Sequence, residues 1–438
     1  MLSQLGAAEL APEAIRALAY ATGFQKRACR KIDPAAFASL LLEESVNGAP
    51  SCNDLAAQTE ALHGRSVSRQ AVCTKFGDSG VRFFRAILAR AIKARLPGST
   101  ADTRAAEGRF TRVLVQDSTV LRLPGRLFPA FSGVANGASS VCNARVQVVY
   151  DLVAAQFISL TVDPYTKNDI QSAPELELRQ GDLALRDRGY LSCREIRRHR
   201  DARADCIYRH KHNTVYIDPR TKTPIDLVRL LQQRRSIDMD VWLNDEDRTP
   251  VRLLAVPVPE EMANVRRMKL KKETRGHAPS DDLLRLASWT ILITTIPQAK
   301  ATFNDLLALY GLRWRIEIIF KSWKSHMNFA RIHNVSERQL HLLLAARLTV
   351  AVITSHLVFR PARERLRKDY GRELSLMKTI RYLVRNPQRI PVVLAALCRT
   401  TGQQPALSAL SRYCSYDKRK RPNFNQTEQL LFASCALS

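Results

Sequence analysis

The stretch Val113-Leu114-Val115-Gln116-Asp117-Ser118-Thr119 decides how this chain is read. Up to about residue 105 the apolar positions recur at helical spacing. Here they switch to alternation, with Val113, Val115 and Asp117 on one face of a strand. Working outward, residues 145–151 and 156–163 read as two more strands and 168–179 as helical. Residues 183–187 read as a strand, 192–200 as a helix and 205–210 as a fifth strand. Three consecutive strands suit a meander and the later helices suit crossovers, which predicts a mixed sheet with helices packed on it.

Two further segments carry a carboxylate in a setting that suits a metal: Asp187 in Arg186-Asp187-Arg188-Gly189-Tyr190, and Glu317 in Tyr310-Gly311-Leu312-Arg313-Trp314-Arg315-Ile316-Glu317. Tyr310, Arg313, Glu317 and Lys324 sit at i, i+3, i+7 and i+14. On one helix, at about 100° per residue, their Cα directions fall within about 60° of one another. A phenol, a guanidinium, a carboxylate and an ammonium then share a face, a poor core stripe but a good surface for gripping a phosphodiester beside a metal ion.

Each carboxylate also has an ordinary reading. Asp117 caps the Ser118-Thr119 turn, Asp187 pairs with Arg188, and Glu317 pairs along its helix with Arg313 or Lys321. Asp151, Asp163, Asp182 and Asp305 compete for the same role at neighbouring element ends. Spacing alone leaves these alternatives open.

The 438 residues carry 68 Lys+Arg against 41 Asp+Glu, a formal charge of +27, which points to a polyanionic partner and so to nucleic acid ahead of a membrane surface. No apolar run of transmembrane length and no signal peptide is read, so a cytoplasmic, nucleoid-associated protein is expected. Nine cysteines without a Cys-x-x-Cys pair read as reduced, mostly buried thiols. His210, His212, His326 and His333 lack further ligands at suitable spacing and read as ordinary histidines.

Residues 1–105 are expected to form a helical DNA-binding region. Asn53-Asp54 cap a helix that Gly64 breaks, and Ser66 or Ser68 caps the next, the outline of a helix-turn-helix offering Arg69, Gln70, Thr74 and Lys75 to a groove. Residues 106–334 are expected to hold the catalytic core, interrupted at about 211–300 by a largely β insertion. Strands at 238–242, 251–256 and 289–295 frame a basic loop with Arg266, Arg267, Lys269, Lys271, Lys272 and Arg275. Residues 335–438 read as a helical C-terminal region for dimerisation or synapsis, with a basic cluster at Lys418-Arg419-Lys420-Arg421.

The chain resembles a DDE transposase of bacterial insertion sequences, in the large family four marked by Tyr, two residues, Arg, three residues, Glu, six residues, Lys. Tyr310, Arg313, Glu317 and Lys324 match that signature without a gap. Asp117-Ser118-Thr119 and Asp187-Arg188-Gly189-Tyr190 resemble the family's other two blocks, and the similarity covers about residues 50 to 335. The resemblance implies an RNase H-like fold, in agreement with the strand and helix order, and places a β insertion between Asp187 and Glu317. It implies catalysis by Asp117, Asp187 and Glu317 on two Mg²⁺ (or Mn²⁺) ions, with Tyr310, Arg313 and Lys324 on DNA phosphates. It further implies cut-and-paste transposition of double-stranded DNA at terminal inverted repeats, a hairpin intermediate, and a homodimer pairing the two ends. The alternatives are an RNase H-like nuclease without strand transfer and a catalytically inactive DNA-binding repressor.

Overall fold

The computed structural model describes residues 7–27, 31–48, 50–64, 66–95, 109–133, 141–273, 278–333, 335–399 and 404–416. From the N-terminus, helices α1 (Pro12–Ala21), α2 (Pro34–Asn47), α3 (Cys52–His63), α4 (Arg69–Cys73) and α5 (Asp78–Lys93) precede strand β1 (Arg112–Arg122). Strands β2 (Asn143–Asp151) and β3 (Gln156–Pro164), helix α6 (Asp169–Ser172), strand β4 (Asp182–Arg186), helix α7 (Cys193–Asp201) and strand β5 (Asp205–Arg209) follow. Next come β6 (Tyr216–Ile217), α8 (Leu227–Gln233), β7 (Ile237–Leu243), β8 (Pro250–Pro257), α9 (Glu260–Glu273), α10 (Asp281–Leu286) and β9 (Trp289–Thr294). The remainder is helical: α11 (Phe303–Gly311), α12 (Trp314–His326), α13 (Glu337–Ile353), α14 (Arg360–Tyr370), α15 (Leu376–Arg385), α16 (Arg389–Leu397) and α17 (Pro405–Cys414).

The mixed α/β sheet read from the sequence is present, with strand order β3-β2-β1-β4-β5-β9-β8-β7-β6. Strands β1, β4 and β5 run parallel. The β2–β3 pair and the run from β5 through β9, β8 and β7 to β6 are antiparallel. The described residues fall into two compact units, one drawn from 1–101, 118–174 and 315–421, the other from 102–117 and 175–314.

Several local expectations are corrected. Asp117 does not close its strand, because β1 continues to Arg122. The helix expected over 168–179 is a single turn, α6, ending before Pro174, whose ring disfavours helical backbone in the residue ahead of it. The region 211–300 is not largely β: its strands β7, β8 and β9 extend the same sheet, and α8, α9 and α10 lie among them. The expected basic loop is helix α9 through Glu273, while Arg275 lies outside the described residues, as do Cys29, Cys435 and Lys418 to Arg421.

In the first unit, Ser51 rather than Asn53 caps α3: its hydroxyl accepts from Asp54 N at 3.1 Å, and the Asp54 carboxylate accepts from Ser51 N at 3.0 Å. Gly64 ends that helix in the left-handed region at φ 61°. Helix α13 packs against α2 and α5. Its Arg347 is 1% exposed and donates to the carbonyls of Ser45, Gly48, Asn328 and Arg331, tying the end of α2 to α13.

The absence of a transmembrane-length run also needs correcting. Residues 337–370 form one helix long and apolar enough to cross a membrane, made of α13, a π-helical turn at Thr354–Phe359, and α14. Its most apolar window is wholly buried inside the protein. It is apolar on every side because protein covers every side.

Candidate active site

The parallel β1–β4 pairing carries the site. Its register runs from Arg112↔Asp182 to Gln116↔Arg186, so the next residues of the two strands are Asp117 and Asp187. Side chains in equivalent register on parallel neighbours lie on the same face, so both carboxylates emerge side by side where the ladder ends. Gly181 fixes the start of that register. Its carbonyl accepts from Thr111 N at 2.9 Å, and its φ of +83°, together with the Thr111 hydroxyl 2.7 Å from where a Cβ would stand, makes any side chain costly.

The competing carboxylates are engaged structurally. Asp182, fully buried, takes Nε of Arg112 at 2.9 Å and the amide of Arg179 at 2.7 Å. Asp305 completes the capping box of α11 with Thr302. Asp163 pairs with Lys167 at 2.9 Å, and Asp151 accepts the amide of Val153 at 3.0 Å.

The expected single helix carrying Tyr310, Arg313, Glu317 and Lys324 is two helices. At the end of α11 the hydrogen bonds tighten to i−3, Leu312 N to Leu309 O and Arg313 N to Tyr310 O, and α12 starts at Trp314. Tyr310 therefore lies in the last turn of α11, and Arg313 occupies the turn that follows. Glu317 stands half-buried in the first turn of α12, where the helix dipole favours a carboxylate, and Lys324 follows two turns later, exposed. These two share a face of α12, and Ile316, Ile319, Phe320 and Trp323 are buried on the rest.

Within the second unit, Arg313 donates through Nη1 to Asp117 Oδ2 at 2.7 Å. The expected pairing of Arg313 along its own helix is thus joined by a partner 196 residues away in sequence. The Tyr310 hydroxyl reaches Asp187 Oδ1 at 3.5 Å, the outer limit of a hydrogen bond, and the Arg313 guanidinium lies 5.8 Å from the Tyr310 ring centroid. Burial pushes the Tyr310 phenol well above its ordinary pKa, so it stays a neutral donor. Two carboxylates, a guanidinium and a phenol thus meet where the β1–β4 ladder ends.

Hard carboxylate oxygens side by side, with a cation already drawn to one of them, are a donor set that fits a divalent metal. Among the described residues no group of three or more His, Cys, Asp or Glu stands ready for a metal. His210 turns instead to the Tyr216 hydroxyl at 2.7 Å, and burial lowers its pKa to about 4, which keeps it neutral. The described cysteines are all free.

In the N-terminal candidate, Arg69 and Gln70 are exposed at the start of α4. Lys75 is committed inward: Nζ donates to the Phe24 carbonyl at 3.1 Å and lies 4.6 Å from the centre of that ring. The contact missed in the sequence was Arg313 with Asp117. The signal available for the underlying geometry was the 70-residue offset shared by Asp117/Asp187 and the Arg112–Asp182 pair.

Residues 108–353 match the family model of the transposase DDE domain. The chain belongs to this family. A transposase for insertion sequence element IS231B from Bacillus thuringiensis subsp. berliner is 27% identical over 395 residues, covering 85% of this chain and 82% of that protein. A transposase for insertion sequence element IS1151 from Clostridium perfringens is 25% identical over 361 residues, covering 76% and 75%. Among solved structures, a piggyBac transposase synaptic complex with hairpin DNA is similar at a TM-score of 0.43 and 12% identity, over 96% of this chain and 85% of that one. As a DDE transposase of the insertion-sequence kind, the protein is a DNA-cleaving and strand-transferring enzyme.

Proposed function

We propose that the protein moves its insertion sequence by a cut-and-paste route, cleaving double-stranded DNA at terminal inverted repeats and joining the freed ends to target DNA. The observation that carries this reading is the register adjacency of Asp117 and Asp187 at the end of the β1–β4 ladder, with Arg313 and Tyr310 against them. In this reading Asp117 and Asp187 hold two Mg²⁺ (or Mn²⁺) ions and Glu317 completes the set. When bound, such ions make the attacking oxygen more acidic and neutralise the leaving one. Arg313 moves from Asp117 to the phosphate at the cleaved end, where its planar guanidinium suits a two-pronged grip, Tyr310 donates its phenolic proton as a hydrogen bond beside it, and Lys324 adds a point charge.

The strand order β3-β2-β1-β4-β5, with β1, β4 and β5 parallel, supports an RNase H-like core, and the match of Tyr310, Arg313, Glu317 and Lys324 supports placement in family four. Residues 1–105 serve end recognition, with Arg69 on the DNA. Residues 106–334 hold the catalytic core, and 335–438 serve dimerisation in the paired-end complex. The work is done in the bacterial cytoplasm, on nucleoid DNA.

The test is single-turnover cleavage of a duplex bearing the element's end, with Mg²⁺. Asp117→Asn, Asp187→Asn and Glu317→Gln are expected each to abolish cleavage and joined products while the protein still retards the duplex. Near-normal cleavage by any one variant removes that residue from the site.

A further inference from the structure

Helix α9 presents an unusual outer face. Its inner side is fixed by contacts within the second unit: Ala263 is fully buried, Arg266 donates to the carbonyl of Trp289 at 2.9 Å and to the Thr290 hydroxyl at 3.2 Å, and Arg267 donates to the Ser288 hydroxyl at 2.5 Å. The opposite side is therefore the outward one. It carries Glu261, Val265, Met268 and Lys272, all exposed, with Val265 at 65% and Met268 at 61%. A solvated helix apex ordinarily carries charge, not the two most exposed apolar side chains of its own segment.

These four residues are spaced four, three and four apart, the a/d seam of a heptad. The seam is also self-complementary. Turned antiparallel about a two-fold axis midway between Val265 and Met268, Val265 meets Met268 of a second copy and Glu261 meets Lys272 of that copy. Both apolar layers and both charge layers are satisfied by one operation, as an isologous contact requires. The flanks raise no conflict: Lys269 already pairs with Glu273 of its own helix at 3.7 Å, and Lys271 comes to lie beside Asn264 of the second copy.

The geometry points to α9 as a self-association surface, on which a second copy of this chain docks its own α9 antiparallel through Val265 and Met268, flanked by Glu261–Lys272 pairs. A helix of 14 residues spans about 21 Å, so this contact is smaller than a standard interface; size does not fix affinity, and the contact is expected to have a dissociation constant on the order of micromolar. It is weak alone and effective when two copies are held on one DNA. The surface is separate from the catalytic carboxylates, so its failure leaves the proposed chemistry untouched.

The test uses the full chain without DNA, by sedimentation velocity over a range of about 5 to 100 µM, bracketing a micromolar contact. Glu261→Lys and Lys272→Glu are each expected to weaken self-association about tenfold or more, and the double charge reversal to restore it. Val265→Cys and Met268→Cys proteins, mixed and oxidised, are expected to give the 265-to-268 crosslink, read by peptide mass mapping, in preference to either like-with-like product. Monomeric wild type across that range, no rescue by the double reversal, or like-with-like crosslinks would overturn the proposal. So would a Val265→Asp protein that sediments as wild type but binds duplex DNA more weakly, since that result assigns the face to DNA. Thermal melts of each variant verify folding, and the outward position of all four residues predicts melts close to wild type.

Discussion

Arg313 donates to Asp117 at 2.7 Å across 196 residues of chain, with its own side chain 9% and that of Asp117 18% exposed. A guanidinium on that oxygen holds the lone pairs a divalent cation would use, so the two compete. Arg313→Gln is expected to bind Mn²⁺ about tenfold more tightly than wild type in the absence of DNA, the value of one charge-assisted hydrogen bond of ~1.5 kcal/mol. It is expected at the same time to cleave end DNA more slowly, having lost its phosphate grip. Calorimetric titration with Mn²⁺ checks the first half, and unchanged affinity would mean the ion pair does not occlude the carboxylate.

Asp182 and Asp187 sit five residues apart and should respond in opposite ways. Asp182→Ala removes a fully buried carboxylate that holds Arg112 and the Arg179 amide, and, with Arg112 14% exposed and still donating to the Glu177 carbonyl, is expected to cost about 1–3 kcal/mol. Asp187→Asn, beyond the paired ladder, is expected to change stability by less than about 1 kcal/mol and to lose cleavage. Urea midpoints for both proteins, compared with single-turnover rates, decide this. A destabilised Asp187→Asn protein would argue for a structural carboxylate.

Arg69 and Lys75 separate in the same manner. Arg69→Ala is expected to weaken binding to end DNA and to reduce the slope of log affinity against log salt by about 1 while leaving the melting temperature alone. Lys75→Ala is expected to lower the melting temperature, because its ammonium bonds the Phe24 carbonyl. Equal loss of DNA affinity in the two variants would return Lys75 to the interface.

Stability is expected to fall on acidification before the carboxylates titrate. His356 is wholly buried, accepts the Phe157 amide on Nε2 at 2.6 Å, and burial lowers its pKa to about 3. Below about 6.5 the unfolded chain takes up a proton that the folded chain refuses, so stability is full above that pH and is lost as pH falls toward 3, at up to ~1.4 kcal/mol per pH unit. His199 and His210, each lowered to about 4 by burial, add to the same trend. Melting temperatures between pH 7 and 5 measure the slope, and His356→Gln should flatten it by one proton. An unchanged slope would show that His356 does not refuse its proton.

Much of the architecture was legible because it depends on neighbours close in sequence. The alternation of Val113 and Val115 announced β1, Gly64 and Ser68 bounded the helices around them, and β2, β3 and β5 lay within a residue or two of where their composition put them. Helix α9 was misread because so little of it needs to be apolar. Ala263 alone is fully buried, and Arg266 and Arg267 satisfy the inner side by hydrogen bonds, so no hydrophobic stripe marked it. The break between α11 and α12 falls just after Gly311, but a turn of tighter helix keeps right-handed backbone, so the glycine alone did not divide the four-residue pattern into two helices.

Periodicity, caps and the spacing of Tyr310, Arg313, Glu317 and Lys324 are local or one-dimensional quantities, and they were enough to give the elements and the family resemblance. Which carboxylates are engaged structurally and which stand where the β1–β4 ladder ends is a different kind of fact. Asp182 and Asp187 look alike in the chain, yet the β1–β4 register sets Asp182 on Arg112 and brings Asp187 beside Asp117, and the turn after α11 delivers Arg313 to that same point. A charge's partner is chosen by distance in space, which falls off within a few ångströms, and only closure of the sheet brings residues 70 and 196 positions apart within that reach.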